Sequence, residues 1–144
     1  MIAVDSNLLI YAHRSATAEH GKARRALEAA AADPRGWGMA LASVGEFFSI
    51  VTHPAASGRP SKPDDAREFL ETLSASGGMQ IWTPGTGFAT RLLQLASDLQ
   101  VVGVRIFDLQ IALTAVDHGA TELWTHDRDF VRVPGLRLRR PIDA

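Results

Sequence analysis

Between Ile106 and Phe130 the chain reads IFDLQIALTAVDHGATELWTHDRDF, which is an amphipathic helix, a glycine stop and a short apolar strand in direct succession. Elements that follow one another so closely fit few architectures, because the helix must lie back across a sheet before the next strand begins. Ile111, Ala112 and Ala115 stand three, four and seven residues beyond Asp108, so a helix starting near Asp108 puts all four on one face. A carboxylate heading an apolar stripe is out of place on a purely structural helix. Gly119 suits a left-handed helix stop, and Glu122 to Thr125 reads as a strand that delivers Asp127 at its carboxyl end.

The rest of the chain repeats this alternation. Met1 to Val4 is an apolar run suited to an inner strand, Asp5 ends it, and Ser6 and Asn7 are placed to cap a helix through Tyr11. A second helix is expected from Thr17 to Ala32, with Ala23, Ala26, Leu27 and Ala30 inward and Asp33-Pro34 as its stop. Trp37 to Leu41 has strand character. Ser43 then opens a helix whose Val44, Phe47, Phe48 and Val51 share a face and whose first turn holds Glu46. Residues 54 to 61, PAASGRPS, are the most loop-like in the chain. Ser61 and Pro63 suit the start of a helix that Gly77-Gly78 ends, Met79 to Thr83 reads as a strand, and Phe88, Leu92, Leu95 and Leu99 mark the next helix. A turn at Pro134-Gly135 leads to an edge strand over Leu136 to Arg140. The expectation is a single α/β domain over residues 1–144, three α/β/α layers around a mainly parallel sheet.

Composition narrows the chemistry. The chain has no cysteine, which removes disulfides, thiolate metal sites and cysteine nucleophiles together and fits a reducing cytoplasm. No apolar run is long enough to span a bilayer, and Asp5 within the apolar start argues against a leader peptide. A formal charge of −1 gives no global attraction to nucleic acid, so such a partner must be held by local patches or by metal ions. The tail supplies one patch: Arg128, Arg132, Arg137, Arg139 and Arg140 stand against Asp127, Asp129 and Asp143. His13, His20, His53, His118 and His126 show no metal-ligand spacing, and Pro84-Gly85-Thr86-Gly87 reads as a turn and helix cap.

Four acids remain to be explained. Asp5 and Asp127 end strands while Glu46 and Asp108 open helices, and in a parallel sheet those positions share the edge where ligands bind. Each has a structural reading as well: Asp5 as a helix cap, Glu46 as the partner of Ser43 in a capping box, Asp108 as a helix-dipole partner, Asp127 and Asp129 as turn residues. The coincidence of all four at one edge favours a site. Carboxylates gathered there repel one another unless a cation sits among them, and oxygen-only donors point to Mg²⁺ or Mn²⁺.

Val4-Asp5-Ser6-Asn7, Glu46, Asp108 with Ile111, Ala112 and Ala115, and Thr125-His126-Asp127-Arg128-Asp129-Phe130 together resemble the PIN-domain ribonucleases, most closely the VapC toxins of toxin–antitoxin pairs. The resemblance implies that Asp5, Glu46, Asp108 and Asp127 form the catalytic metal site. It makes Asn7, Thr125 and Asp129 supports of those carboxylates. For an RNA substrate Arg128, Arg132, Arg137, Arg139, Arg140 and Arg59 are candidates for holding flanking phosphates, with a solvated face as the alternative for each. The resemblance further implies endoribonuclease activity with Mg²⁺ or Mn²⁺, leaving 5′-phosphate and 3′-hydroxyl ends, a homodimer, and an antitoxin protein as partner. Two alternatives stand beside it, a PIN-like module that binds without cutting and a receiver-type phospho-aspartate domain. Lys22 and Lys62, its lysines, do not follow a late strand as a receiver would require.

Overall fold

The computed structural model describes residues 1–56 and 59–143. The described elements, in order, are β1 (Ile2–Val4), α1 (Ser6–His13), α2 (His20–Ala32), β2 (Trp37–Ala40), α3 (Leu41–Thr52), α4 (Pro63–Ala75), β3 (Gln80–Trp82), α5 (Phe88–Asp98), α6 (Arg105–Asp117), β4 (Glu122–Trp124) and β5 (Arg137–Arg139). The strands lie in the order β3-β2-β1-β4-β5, and every neighbouring pair is parallel. The order reverses around β1, so a crevice opens beyond the carboxyl ends of β1 and β4, where open α/β sheets hold their ligands.

Alternation along the short strands builds two cores. Ile2, Val4, Trp37, Met39 and Trp124 face a cluster with Leu8, Leu9, Ala23, Leu27, Phe47, Val51 and Leu70, which places α1 to α4 on that side. Ala3, Ala40 and Leu123 face the other way onto Leu109, Ala112 and Ala115 of α6, with α5 packed beside it. Burying a side chain such as Phe47, Met39 or Leu123 contributes about 1.5–3 kcal/mol, which is how three-residue strands hold their register. Gly38 permits β2 and β3 to approach, since a methyl there would stand 2.6 Å from the Gln80 carbonyl oxygen and from the Trp82 ring.

At the opposite, amino end of the sheet, Glu122 is buried in β4 between Arg35 and Arg137, and the Arg137 guanidinium holds its carboxyl below the ordinary range. No helix among the described residues is long and apolar enough to cross a membrane.

Several boundaries differ from the sequence expectation. Asp5, rather than Ser6 or Asn7, caps α1, because β1 runs into the helix without a spare residue. The second helix starts at His20; Thr17 is used in the preceding turn, where its hydroxyl donates to the Arg14 carbonyl. Leu41 belongs to α3 and not to β2, so Ser43 lies inside the helix and the Ser43–Glu46 capping box does not form. Phe48, expected on the inward stripe with Phe47, is 38% exposed. Lys62 occupies the cap position of α4, while the Ser61 hydroxyl meets His13 Nε2 at 2.8 Å. The α6 helix begins at Arg105, one turn before Asp108. Of the loop at 54–61, Ser57 and Gly58 lie outside the described residues.

Candidate active site

Asp5 follows β1 directly, so the strand end fixes its backbone while α1 begins on top of it. Its side chain is 5% exposed. One carboxylate oxygen accepts from the Ser6 backbone N–H at 2.8 Å, and the other accepts from the Thr125 hydroxyl at 2.8 Å. Thr125 follows β4, the parallel neighbour of β1, so sheet register alone brings these two residues together. The same hydroxyl accepts from the Asp127 backbone N–H at 3.0 Å and from Asn7 Nδ2 at 3.2 Å, and Asn7 Oδ1 accepts from the His126 N–H. Asn7 and Thr125 thus tie the start of α1 to the turn after β4.

Glu46 reaches the crevice from the second turn of α3. Its carboxylate accepts a short hydrogen bond from the Ser6 hydroxyl, beside Asp5. Asp108, in the first turn of α6, is half-buried and accepts from the Val131 backbone N–H. Asp127 is exposed, and its Oδ1 accepts from the Asp129 N–H at 2.8 Å, closing an Asx turn. Asp129 therefore contributes its backbone to the turn, while its carbonyl accepts from Arg105 Nη2.

Electrostatics joins these four acids into one site. Burial, opposed by the Thr125 and Ser6 hydrogen bonds and reinforced by the charges of Glu46 and Asp108, pushes the Asp5 carboxyl up to about 6. Asp108 is also raised, first by burial and then by Asp127, with Glu46 adding to it. The charges felt at Asp5 and Asp108 come from the other acids expected at this edge. The destabilisation of ionised Asp5 and Asp108 is of the kind a cation relieves.

The donor set fits a hard divalent ion. No three Asp, Glu, His or Cys side chains among the described residues stand close enough to form a ready-made cage. Glu46 is engaged by Ser6 and Asp127 by its own turn, which accounts for the open arrangement. Mg²⁺ commonly keeps several waters and takes only one or two carboxylates, so a site of this kind does not require a ready-made cage.

The arginines are scattered. Arg59 lines a cavity of about 490 Å³ with Ile10, His13, Arg14 and Ser61, at the far end of α1 from Asp5. Arg128 is exposed and stands 3.8 Å from Asp143, and Arg132 is exposed next to Val131. Of the tail patch, Arg140 also pairs with Asp143 and Arg137 with Glu122, so the cluster read from sequence is largely neutralised. Sequence reasoning missed the work of Ser6 and of the Val131 N–H. The first was hidden by its reading as a helix cap, and a backbone donor leaves no mark in a sequence.

The chain matches the PIN-domain family model over residues 2–136. It is 35% identical to Ribonuclease VapC43 of Mycobacterium tuberculosis, covering 100% of this chain and 97% of the relative, and equally so to a VapC ribonuclease of Mycobacterium bovis. Ribonuclease VapC48 of M. tuberculosis is 28% identical, with 97% of each chain covered. Among solved structures, the fold matches VapC20 of M. tuberculosis, a toxin that cleaves the sarcin-ricin loop, with a TM-score of 0.67 at 14% identity over 90% of this chain and 92% of that one. It also matches VapBC2 from Rickettsia felis, bound to a fragment of promoter DNA, with a TM-score of 0.64 at 20% identity over 96% and 98%. With these acids at its sheet crevice and this likeness along its whole length, the chain belongs to the PIN-domain family, among the VapC ribonucleases.

Proposed function

We propose that this chain is a metal-dependent endoribonuclease, the toxin of a VapBC-type pair that acts on RNA to inhibit translation, with Asp5, Glu46, Asp108 and Asp127 as its catalytic acids. The observation that supports the reading is the buried Asp5 at the end of β1, held by Thr125 and standing beside Ser6, which also donates to Glu46, with the Asp5 and Asp108 carboxyls raised by burial and by neighbouring acids. A bound Mg²⁺ or Mn²⁺ would supply positive charge against the scissile phosphate and acidify the attacking water. Asp5 and Asp108 would hold that ion, and the Thr125 and Ser6 donors keep Asp5 in one orientation while favouring its ionised form. Glu46, steadied by Ser6, and Asp127, steadied by its turn, lie at the rim where a water proton can be taken up. Arg59, Arg128 and Arg132 would serve flanking phosphates.

The reading extends to an antitoxin and a second copy of the chain, acting in the cytoplasm. Val104 and Phe107, at the start of α6, remain 79% and 60% exposed, with Val102 and Leu93 exposed nearby, and apolar surface of that kind suits a protein contact. Phe47 is fully buried, so core packing accounts for it and not an interface.

Purified protein freed of antitoxin should cut total cellular RNA into discrete products with Mg²⁺ or Mn²⁺, and not with chelator. Asp5→Asn and Asp108→Asn should each lower the rate by about 10²-fold or more. Equal cleavage by wild type and both variants would refute the assignment, and binding without cleavage would favour the non-catalytic module.

A further inference from the structure

A second cationic site lies one residue behind the catalytic edge. Lys22, Arg25, Ala26 and Ala29 of α2 face Trp124 of β4, Arg139 of β5 and Pro141 across a cavity of about 230 Å³. Arg139 is the register partner of Trp124, and its guanidinium carbon sits 4.8 Å over the indole ring. Seven arginines, Arg24, Arg35, Arg67, Arg91, Arg128, Arg137 and Arg140, pair with carboxylates. Lys22, Arg25 and Arg139 have no carboxylate within pairing distance among the described residues, and no acid lines their cavity. Beneath them Trp124 is 3% exposed, and its indole N–H has no hydrogen-bond partner among the described residues. A buried donor without an acceptor adds its positive pole to three exposed cations that no carboxylate neutralises. An anion complements this arrangement.

Its position relative to the acids decides which anion. Trp124 precedes Thr125, whose hydroxyl donates to Asp5. The amino end of α2 is joined to the same edge, because His20 Nδ1 meets the Tyr11 carbonyl at 2.9 Å and the Tyr11 ring stands edge-on to His126, beside Asp127. We propose that Lys22, Arg25 and Arg139, over Trp124, form a subsite for a backbone phosphate of the RNA strand, flanking the bond that is cut. This rests on the ribonuclease reading. The acids repel a polyanion wherever they are not neutralised, and an unpaired cationic cavity beside them offsets that repulsion and fixes the strand's direction.

The test uses full-length protein carrying Asp108→Asn, so that a labelled single-stranded oligoribonucleotide of mixed sequence is bound in Mg²⁺ without being cut. Lys22→Gln, Arg25→Gln and Arg139→Gln should each weaken binding about three- to tenfold and lower the slope of log affinity against log salt by roughly 0.7, as for one lost phosphate contact. Arg67→Gln, an equal loss of charge on α4, should change neither. The Trp124 indole proton resonance, identified by its loss in Trp124→Phe, should move on adding the oligonucleotide, with the midpoint of that titration about three- to tenfold higher in Arg139→Gln. The same variants placed in the active protein should lose cleavage rate most at high salt. Affinity, slope and salt-dependent rate matching those of the parent in all three would overturn the subsite, even with RNA cleavage by wild type intact. Normal RNA binding coupled with lost antitoxin binding would overturn it too, assigning the cavity to the protein partner. Failure of wild type to cut any RNA, with no binding by the parent, would remove the ribonuclease reading and this subsite together.

Discussion

Thr125 shows how much of the site rests on one hydroxyl. It is fully buried, donates to Asp5, and accepts from Asn7 and from the Asp127 backbone. Thr125→Val removes all three contacts while nearly preserving volume, and should cost about 1–3 kcal/mol in urea denaturation. Because that hydrogen bond favours ionised Asp5, its loss should also shift the acid limb of the pH–rate profile upward. Asp5 itself gives a pH dependence whose sign follows from its raised carboxyl, about 6 against an ordinary 3.8. In metal-free protein the folded state binds that proton more tightly than the unfolded state. The resulting stability is therefore present in full below about pH 4 and is lost as pH rises through 6. Across that interval wild type should lose on the order of 3 kcal/mol relative to Asp5→Asn, as measured by melting in chelator at each pH. A constant difference between the two proteins would contradict the burial and repulsion assigned to Asp5.

At the scale of elements, β2 and β3 approach closely at Gly38. Gly38→Ala would push a methyl to 2.6 Å from the Gln80 carbonyl oxygen and from the buried Trp82 ring, neither of which can swing clear. The expected loss is roughly 1–3 kcal/mol, read from the urea midpoint. Much of this scaffold was legible in the sequence, because strands buried on both faces are continuous apolar runs and the helices between them keep a 3.6-residue period. The placement of Asp5 after β1 and of Asp108 in the first turn of α6 was legible for a related reason, since strand ends and first helical turns share one edge whatever the strand order. Glu46 instead falls in the second turn of α3, because that helix starts earlier, at Leu41. The order β3-β2-β1-β4-β5 was not legible, since periodicity within an element says nothing about its neighbours. Helix starts were misread where a serine invited a cap. Ser43 lies buried inside α3 and Ser61 turns to His13, because the tight β2–α3 junction and the α1 contact outweigh local capping preference. The partners of the basic tail were only partly legible: Asp143 meets Arg140 three residues away, but Glu122 claims Arg137 across the β4–β5 register, a pairing that sequence spacing does not reveal.

For the whole molecule, the account describes a sheet with two ends doing different work. At the amino end Glu122 lies between two arginines, while near the carboxyl end Asp5 and Asp108 have carboxyls raised by burial and by neighbouring acids. The apolar surface at Val102, Val104 and Phe107 adds an expectation of assembly: light scattering should give twice the chain mass of 15.5 kDa, and Val104→Asp with Phe107→Glu should return the monomer. The central claim, that the four carboxylates act as one cation site, is tested most directly by the melting temperature at neutral pH with and without Mg²⁺, in wild type, Asp5→Asn and Asp108→Asn. Binding only to the folded state stabilises it by about 2.7 kcal/mol at a hundredfold excess over the dissociation constant. Wild type should therefore melt several degrees higher with Mg²⁺, and both variants should not respond. An equal rise in all three proteins, or none in wild type, would contradict the account.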